Sequence, residues 1–206
     1  MSCIQTALAE QYAVALDRKV NGGGEKSYTA YLYDQGLDKI LKKLGEECFE
    51  ACIAFKNDDE AETVGELNDV LYHLTVLLCQ SGVSFNAVMD ELCSRCKLHS
   101  GDIADAWEVI GLRRTTGDAE SYTAYLFRSG LDKILKKVGE ACANLLISGK
   151  AGDTANIAQY SGDLVFHLLC AMQCKEISLD ALCDEQDKRA GKTGNRKQVH
   201  RSDHTT

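Results

Sequence analysis

Apolar residues recur along this chain with the period of an α-helix. Leu37, Ile40, Leu41, Leu44, Cys48, Ala51 and Phe55 follow the i, i+3, i+4, i+7 spacing that gathers side chains on one helix face. Leu67, Val70, Leu71, Leu74, Leu77 and Leu78 do the same on a second segment. Residues 57–59 supply the break between the two, Ser81 and Gly82 end the second, and Ser84 starts a third that carries Val88, Leu92 and Cys96. Short loops between helices of this length make sequential neighbours antiparallel, so the pattern predicts an all-α helical bundle. The chain has no proline, in keeping with helix interiors that tolerate none.

The same pattern occurs twice. SYTAYLYDQGLDKILKKLGEECFEACIAFK, from Ser27 to Lys56, returns as SYTAYLFRSGLDKILKKVGEACANLLISGK, from Ser121 to Lys150, and the register then continues without a gap to place Asp69 on Asp163 and His73 on His167. Upstream, VALDRK at Val14 matches VIGLRR at Val109 once one residue is dropped from the loop at Gly22, Gly23 and Gly24, which reads as a flexible connection. The expected organisation is a first helical unit over residues 1–99, a second over 100–190, and a basic flexible tail over 191–206, the two units packing as a pseudo-dimer. A unit of this size has a limited core, so apolar faces buried between units stabilise both.

Composition narrows the function. With 45% hydrophobic and 26% charged residues the chain is an ordinary globular one. Its formal net charge of −8 argues against nucleic acid as a partner. No apolar run reaches membrane-spanning length, so no membrane partner is expected. The ten cysteines come without a secretory leader, which points to a reducing, cytoplasmic setting in which thiols such as Cys48, Cys52, Cys142 and Cys170 pack as small hydrophobes. Cys93 and Cys96 form a lone CxxC, a weak signal for zinc or redox chemistry. The one basic stretch, Lys188, Arg189, Lys192, Arg196, Lys197 and Arg201, reads as a solvated, disordered end.

The carboxylates carry the candidate chemistry. Glu47 and Glu50 are three residues apart on the first long helix, with Glu46 one turn before Glu50, and Glu66 and Asp69 repeat the i, i+3 spacing on the next. Glu47 borders the apolar stripe, where an uncompensated carboxylate is costly. If the two helices pack antiparallel, ExxE faces ExxD and the converging charges demand a cation, a hard Mg²⁺ or Mn²⁺ by the all-oxygen ligand set. Read singly, each acid is a solvated helix residue, and it is the matched pairs that favour the metal. His73, on the same stripe, reads from its surroundings as a structural imidazole, because His167 recurs where the acids do not. Residues 58–62 and 102–105 are acid-rich and are expected to cap helices.

SYTAYL, GLDKILKKLGEE, the GEExxE block completed by Glu50, and ELNDVLYHL resemble phosphoribosyl-ATP pyrophosphohydrolase of histidine biosynthesis, within the MazG-like all-α nucleotide pyrophosphohydrolases. The resemblance covers nearly all of residues 4–97 and returns over 107–189. It implies magnesium-dependent cleavage of phosphoribosyl-ATP to phosphoribosyl-AMP and pyrophosphate, with Glu46, Glu47, Glu50, Glu66 and Asp69 as metal ligands and Glu47 or Glu50 taking the proton of the attacking water. It also implies substrate contacts from Lys39, Lys42, Lys43 and His73. Such enzymes act as homo-oligomers, so the tandem chain resembles a linked dimer with room for further self-association. The second unit departs from the signature: Ala141, Asn144 and Tyr160 stand at the positions of Glu47, Glu50 and Glu66, and Asp163 with Glu140 is all that remains. Lys133, Lys136, Lys137, Arg113 and Arg114 of that unit are candidates to reach substrate across the interface, with surface charge the plainer reading of each. Two other functions stay open at this point: hydrolysis of a different nucleoside triphosphate, and a non-catalytic nucleotide-binding module.

Overall fold

The computed structural model describes residues 2–24, 27–117 and 120–190; the basic tail expected over 191–206 lies outside the described residues. Among those described the chain forms ten α-helices and no strand. They are α1 (Cys3–Asn21), α2 (Tyr28–Gln35), α3 (Leu37–Asn57), α4 (Glu60–Ser81), α5 (Phe85–Cys96), α6 (Ile103–Thr116), α7 (Tyr122–Ser129), α8 (Leu131–Ala151), α9 (Thr154–Lys175) and α10 (Leu179–Ala190). The series α1–α5 repeats as α6–α10, and the breaks fall where the periodicity put them. No described helix is long and apolar enough to cross a membrane.

Local chemistry sets the boundaries. The Ser27 side chain accepts from the N–H of Ala30 and Ser121 from that of Ala124, which starts α2 and α7 at equivalent points. Asp58 takes the left-handed conformation that ends α3, and Asp59 caps α4 by accepting from the N–H of Glu62. Asp102 and Asp105 form a reciprocal capping box at the start of α6. The acid-rich segments expected to be caps are therefore caps.

Two antiparallel hairpins, α3–α4 and α8–α9, form the centre. They meet through α3 and α8, which run in opposite directions: Lys56 pairs with Asp132 at 2.7 Å and Lys150 with Asp38 at 2.5 Å, one bridge being the repeat image of the other. Gly149 lets the helices close, since a Cβ there would stand 2.8 Å from Leu41 Cδ2. One continuous apolar core, including Leu44, Phe55, Leu67, Val138 and Phe166, runs through both units.

The last helix of each unit crosses to the other. α5 packs on α9 and α6, while α10 packs on α4 and α1. Gly162 on α9 makes the first of these contacts close, because a Cβ would come within 2.6 Å of Glu91 Cβ and 3.2 Å of the Leu92 backbone nitrogen. The pseudo-dimer is thus an exchanged one, in which the α3–α4 hairpin is covered on one side by a helix of the second unit.

Candidate active site

The corner at Asp58 and Asp59 fixes which acids meet. Glu47 lies eleven residues before Asp58 and Asp69 eleven after it, so at about 1.5 Å rise per residue both stand roughly 16 Å from the corner on facing helices. One carboxylate oxygen each from Glu47, Glu66 and Asp69 accordingly lie within 4.8 Å of one another. Glu46 does not join them: its carboxylate turns to Lys43 at 2.9 Å and Lys42 at 3.8 Å. Glu50 is exposed, near enough for its charge to act on Glu66.

The cluster is electrostatically unbalanced. Glu47 is buried, with 6% of its surface exposed, and its Oε1 is met by Lys43 Nζ at 3.0 Å. Burial opposes the Lys43 charge, but hydrogen bonds to Glu46 and Glu47 outweigh it and hold the ammonium above its ordinary range. Glu66 has no such partner. Burial, then the charges of Glu50, Asp69 and Glu47 and a hydrogen bond shared with the Glu47 side chain, raise its carboxyl to about 7, and its Oε2 is buried without a hydrogen-bond partner among the described residues. An orphaned buried oxygen facing two further carboxylates fits a hard divalent cation, which would satisfy it and relieve the repulsion.

His73 lies beneath the cluster with 3% exposure. Its Nδ1 is 2.9 Å from the Asp69 carbonyl, which marks that nitrogen as the protonated one, and its Nε2 faces the Tyr28 hydroxyl at 3.5 Å. Burial pushes its pKa down, against the pull of Glu47. The Tyr122 hydroxyl and His167 Nε2 repeat the contact at 3.2 Å in the second unit, where the acids are missing, and this favours the structural reading of the imidazole. Of the lysines, Lys43 is built into the cluster, Lys42 is exposed beside Glu46, and Lys39 lies a turn nearer the start of α3.

A cation that sequence reasoning assigned to the solvated end turns out to be part of the site. Arg189 lies in the last turn of α10, where Nη1 donates to Asp69 Oδ1 at 2.6 Å, Nη2 to Asp69 Oδ2 at 3.3 Å and to the Gly65 carbonyl at 3.1 Å, and Nε to Glu185 Oε1 at 2.8 Å. Helix exchange corrects the expectation, since it carries the basic end of α10 onto α4 rather than into solvent. The repeat held the signal: Glu91 and Arg95 occupy the matching positions on α5, and Arg95 Nε pairs with Asp163 Oδ1 at 2.5 Å. Three of the cations expected to reach substrate across the interface are engaged away from the site. Arg113 donates to the Cys96 carbonyl, Arg114 to that of Gln173, and Lys137 to Glu140. Cys93 and Cys96 are both buried in α5, and the Cys96 thiol donates to the Ala106 carbonyl.

Comparison with known proteins gives two matches to one family model, described as Phosphoribosyl-ATP pyrophosphohydrolase, over residues 9–95 and 104–190. A phosphoribosyl-ATP pyrophosphatase of Streptococcus thermophilus is 59% identical over 73 residues, covering 35% of this chain and 69% of the relative. One from Clostridium novyi is 46% identical over 90 residues, covering 44% and 81% respectively. A histidine biosynthesis bifunctional protein HisIE of Lactococcus lactis is 49% identical over 83 residues, covering 40% of this chain and 39% of its own length. No solved structure matches.

Proposed function

Since the chain belongs to the phosphoribosyl-ATP pyrophosphohydrolase family, we propose that its first unit hydrolyses phosphoribosyl-ATP to phosphoribosyl-AMP and pyrophosphate in histidine biosynthesis, and that the second unit has kept the fold without the chemistry. The observation that carries this reading is the convergence of one carboxylate oxygen each from Glu47, Glu66 and Asp69, with Glu66 Oε2 buried and without a hydrogen-bond partner among the described residues. At the matching places in the second unit Ala141 and Tyr160 leave Asp163 alone.

Glu47, Glu66 and Asp69 would hold Mg²⁺ or Mn²⁺, with Glu46 and Glu50 at the margin of the site. When bound, the cation supplies charge neutralisation for the polyphosphate and lowers the pKa of water. Lys43 holds the Glu47 carboxylate in place through its ion pair. His73 holds the α4 backbone carbonyl of Asp69 from below. Glu50, exposed at the edge of the cluster, takes the proton of the water that attacks phosphorus as the α–β phosphoanhydride breaks and pyrophosphate leaves.

The test is pyrophosphate release from phosphoribosyl-ATP with Mg²⁺, beside a panel of ordinary nucleoside triphosphates. Turnover restricted to phosphoribosyl-ATP supports the reading. Turnover of another nucleotide with none of phosphoribosyl-ATP overturns the substrate, and no turnover of any leaves a binding module.

A further inference from the structure

We propose that Arg189, supplied by the second unit, is a positioning residue for the acid cluster of the first and acts through Asp69. The inference rests on the reading of Glu47, Glu66 and Asp69 as a cation site. Asp69 has 37% of its side chain open to solvent, so packing alone does not settle where its carboxylate points. The planar Arg189 fork grips both of its oxygens and is itself held by the Gly65 carbonyl and Glu185. A carboxylate has about four lone-pair directions, so a guanidinium using two leaves two for the side that faces Glu47 and Glu66. Orientation of a ligand by an outer partner in this way sets affinity as well as geometry.

The pair also recurs where no cluster exists, as Arg95 with Asp163. Fastening an exchanged helix explains both pairs, and it accounts for the survival of Asp163 after its companion acids were lost. Arg95 meets Asp163 through Nε alone, whereas Arg189 grips both Asp69 oxygens, and only at Asp69 does the pair also aim a cluster oxygen. A fastening role alone makes the two arginines equivalent, whereas the positioning role separates them.

The full chain is titrated with Mn²⁺ alone, followed by electron paramagnetic resonance of the free ion, for wild type, Arg189→Met, Arg189→Lys and Arg95→Met, at a temperature well below each unfolding midpoint. Arg189→Met is expected to weaken Mn²⁺ binding about 10–100-fold. Arg189→Lys is expected to recover part of that loss, because a single ammonium cannot fix both oxygens. Arg95→Met is expected to bind as wild type does while losing thermal stability, as Arg189→Met also does. Equal affinity in wild type and Arg189→Met overturns the positioning role, and so does an equal loss in Arg189→Met and Arg95→Met. If Arg189→Met does not fold, Arg189→Lys decides: affinity unchanged from wild type overturns the proposal. If wild type itself binds no Mn²⁺, the cluster reading falls and this inference with it, a result distinct from loss of the Arg189 effect alone.

Discussion

Lys43 Nζ stands 3.0 Å from Glu47 Oε1, and both side chains are nearly sealed from water, at 13% and 8% exposure. A buried pair of this kind is vulnerable to removal of one partner, which strands the other charge. Lys43→Met should therefore lower the free energy of unfolding by about 3–5 kcal/mol, measured by urea denaturation. The repeat-equivalent Lys137 pairs with a solvent-facing Glu140 and has no buried acid at Ala141, so Lys137→Met should cost far less. Similar losses from both would mean that Glu47 is not held by Lys43.

The two units should respond oppositely to loss of their aspartates. Glu47→Gln and Asp69→Asn are each expected to lower kcat/KM for phosphoribosyl-ATP by about 10²-fold or more, since both supply oxygens to one cluster. Asp163→Asn should retain turnover and lose stability, because its partner is Arg95 rather than other acids. Comparable loss of turnover from Asp69→Asn and Asp163→Asn would show that both units are catalytic.

Repulsion within the cluster gives a prediction about stability. Glu66→Gln removes one like charge and should raise the midpoint of thermal unfolding in the presence of a chelator. The same variant should lose most of the stabilisation that cation binding gives the wild type, about 2.7 kcal/mol at a concentration one hundred times the dissociation constant. Scanning calorimetry with and without Mg²⁺ reads both effects. A Glu66→Gln protein less stable than wild type in chelator would mean that Glu66 is already satisfied without a cation.

Gly162 should resist substitution for a reason outside its own helix. Alanine there brings Cβ against Glu91 Cβ and the backbone of Leu92, and backbone cannot yield as a flexible side chain does. Gly162→Ala is expected to destabilise the chain by about 1–3 kcal/mol in denaturant melts despite the better helix propensity of alanine. Gly139 is the control, with no atom within 4 Å of an added Cβ, and Gly139→Ala should be neutral or stabilising. A stabilising Gly162→Ala would argue against the close crossing of α5 on α9.

The sequence by itself determined the helices, their caps and the repeat. Each of these is set by local bonding: a 3.6-residue period gathers Leu37 to Phe55 on one face, and Asp59 or Ser27 satisfies backbone N–H groups a few residues away. It also put Glu47, Glu66 and Asp69 on facing surfaces, because a short corner leaves an antiparallel hairpin almost no other arrangement. What it did not determine was which hairpin α5 and α10 would cover. In a duplicated chain the two helices present similar apolar stripes to similar hairpins, so sequence alone fits either pairing. Only the tertiary structure decided for exchange, through contacts between residues 120 apart such as Arg189 and Asp69. The same holds for Glu46 and Glu66: their spacing is equally suggestive, but non-local packing leaves one with lysines and the other with an oxygen that has no partner.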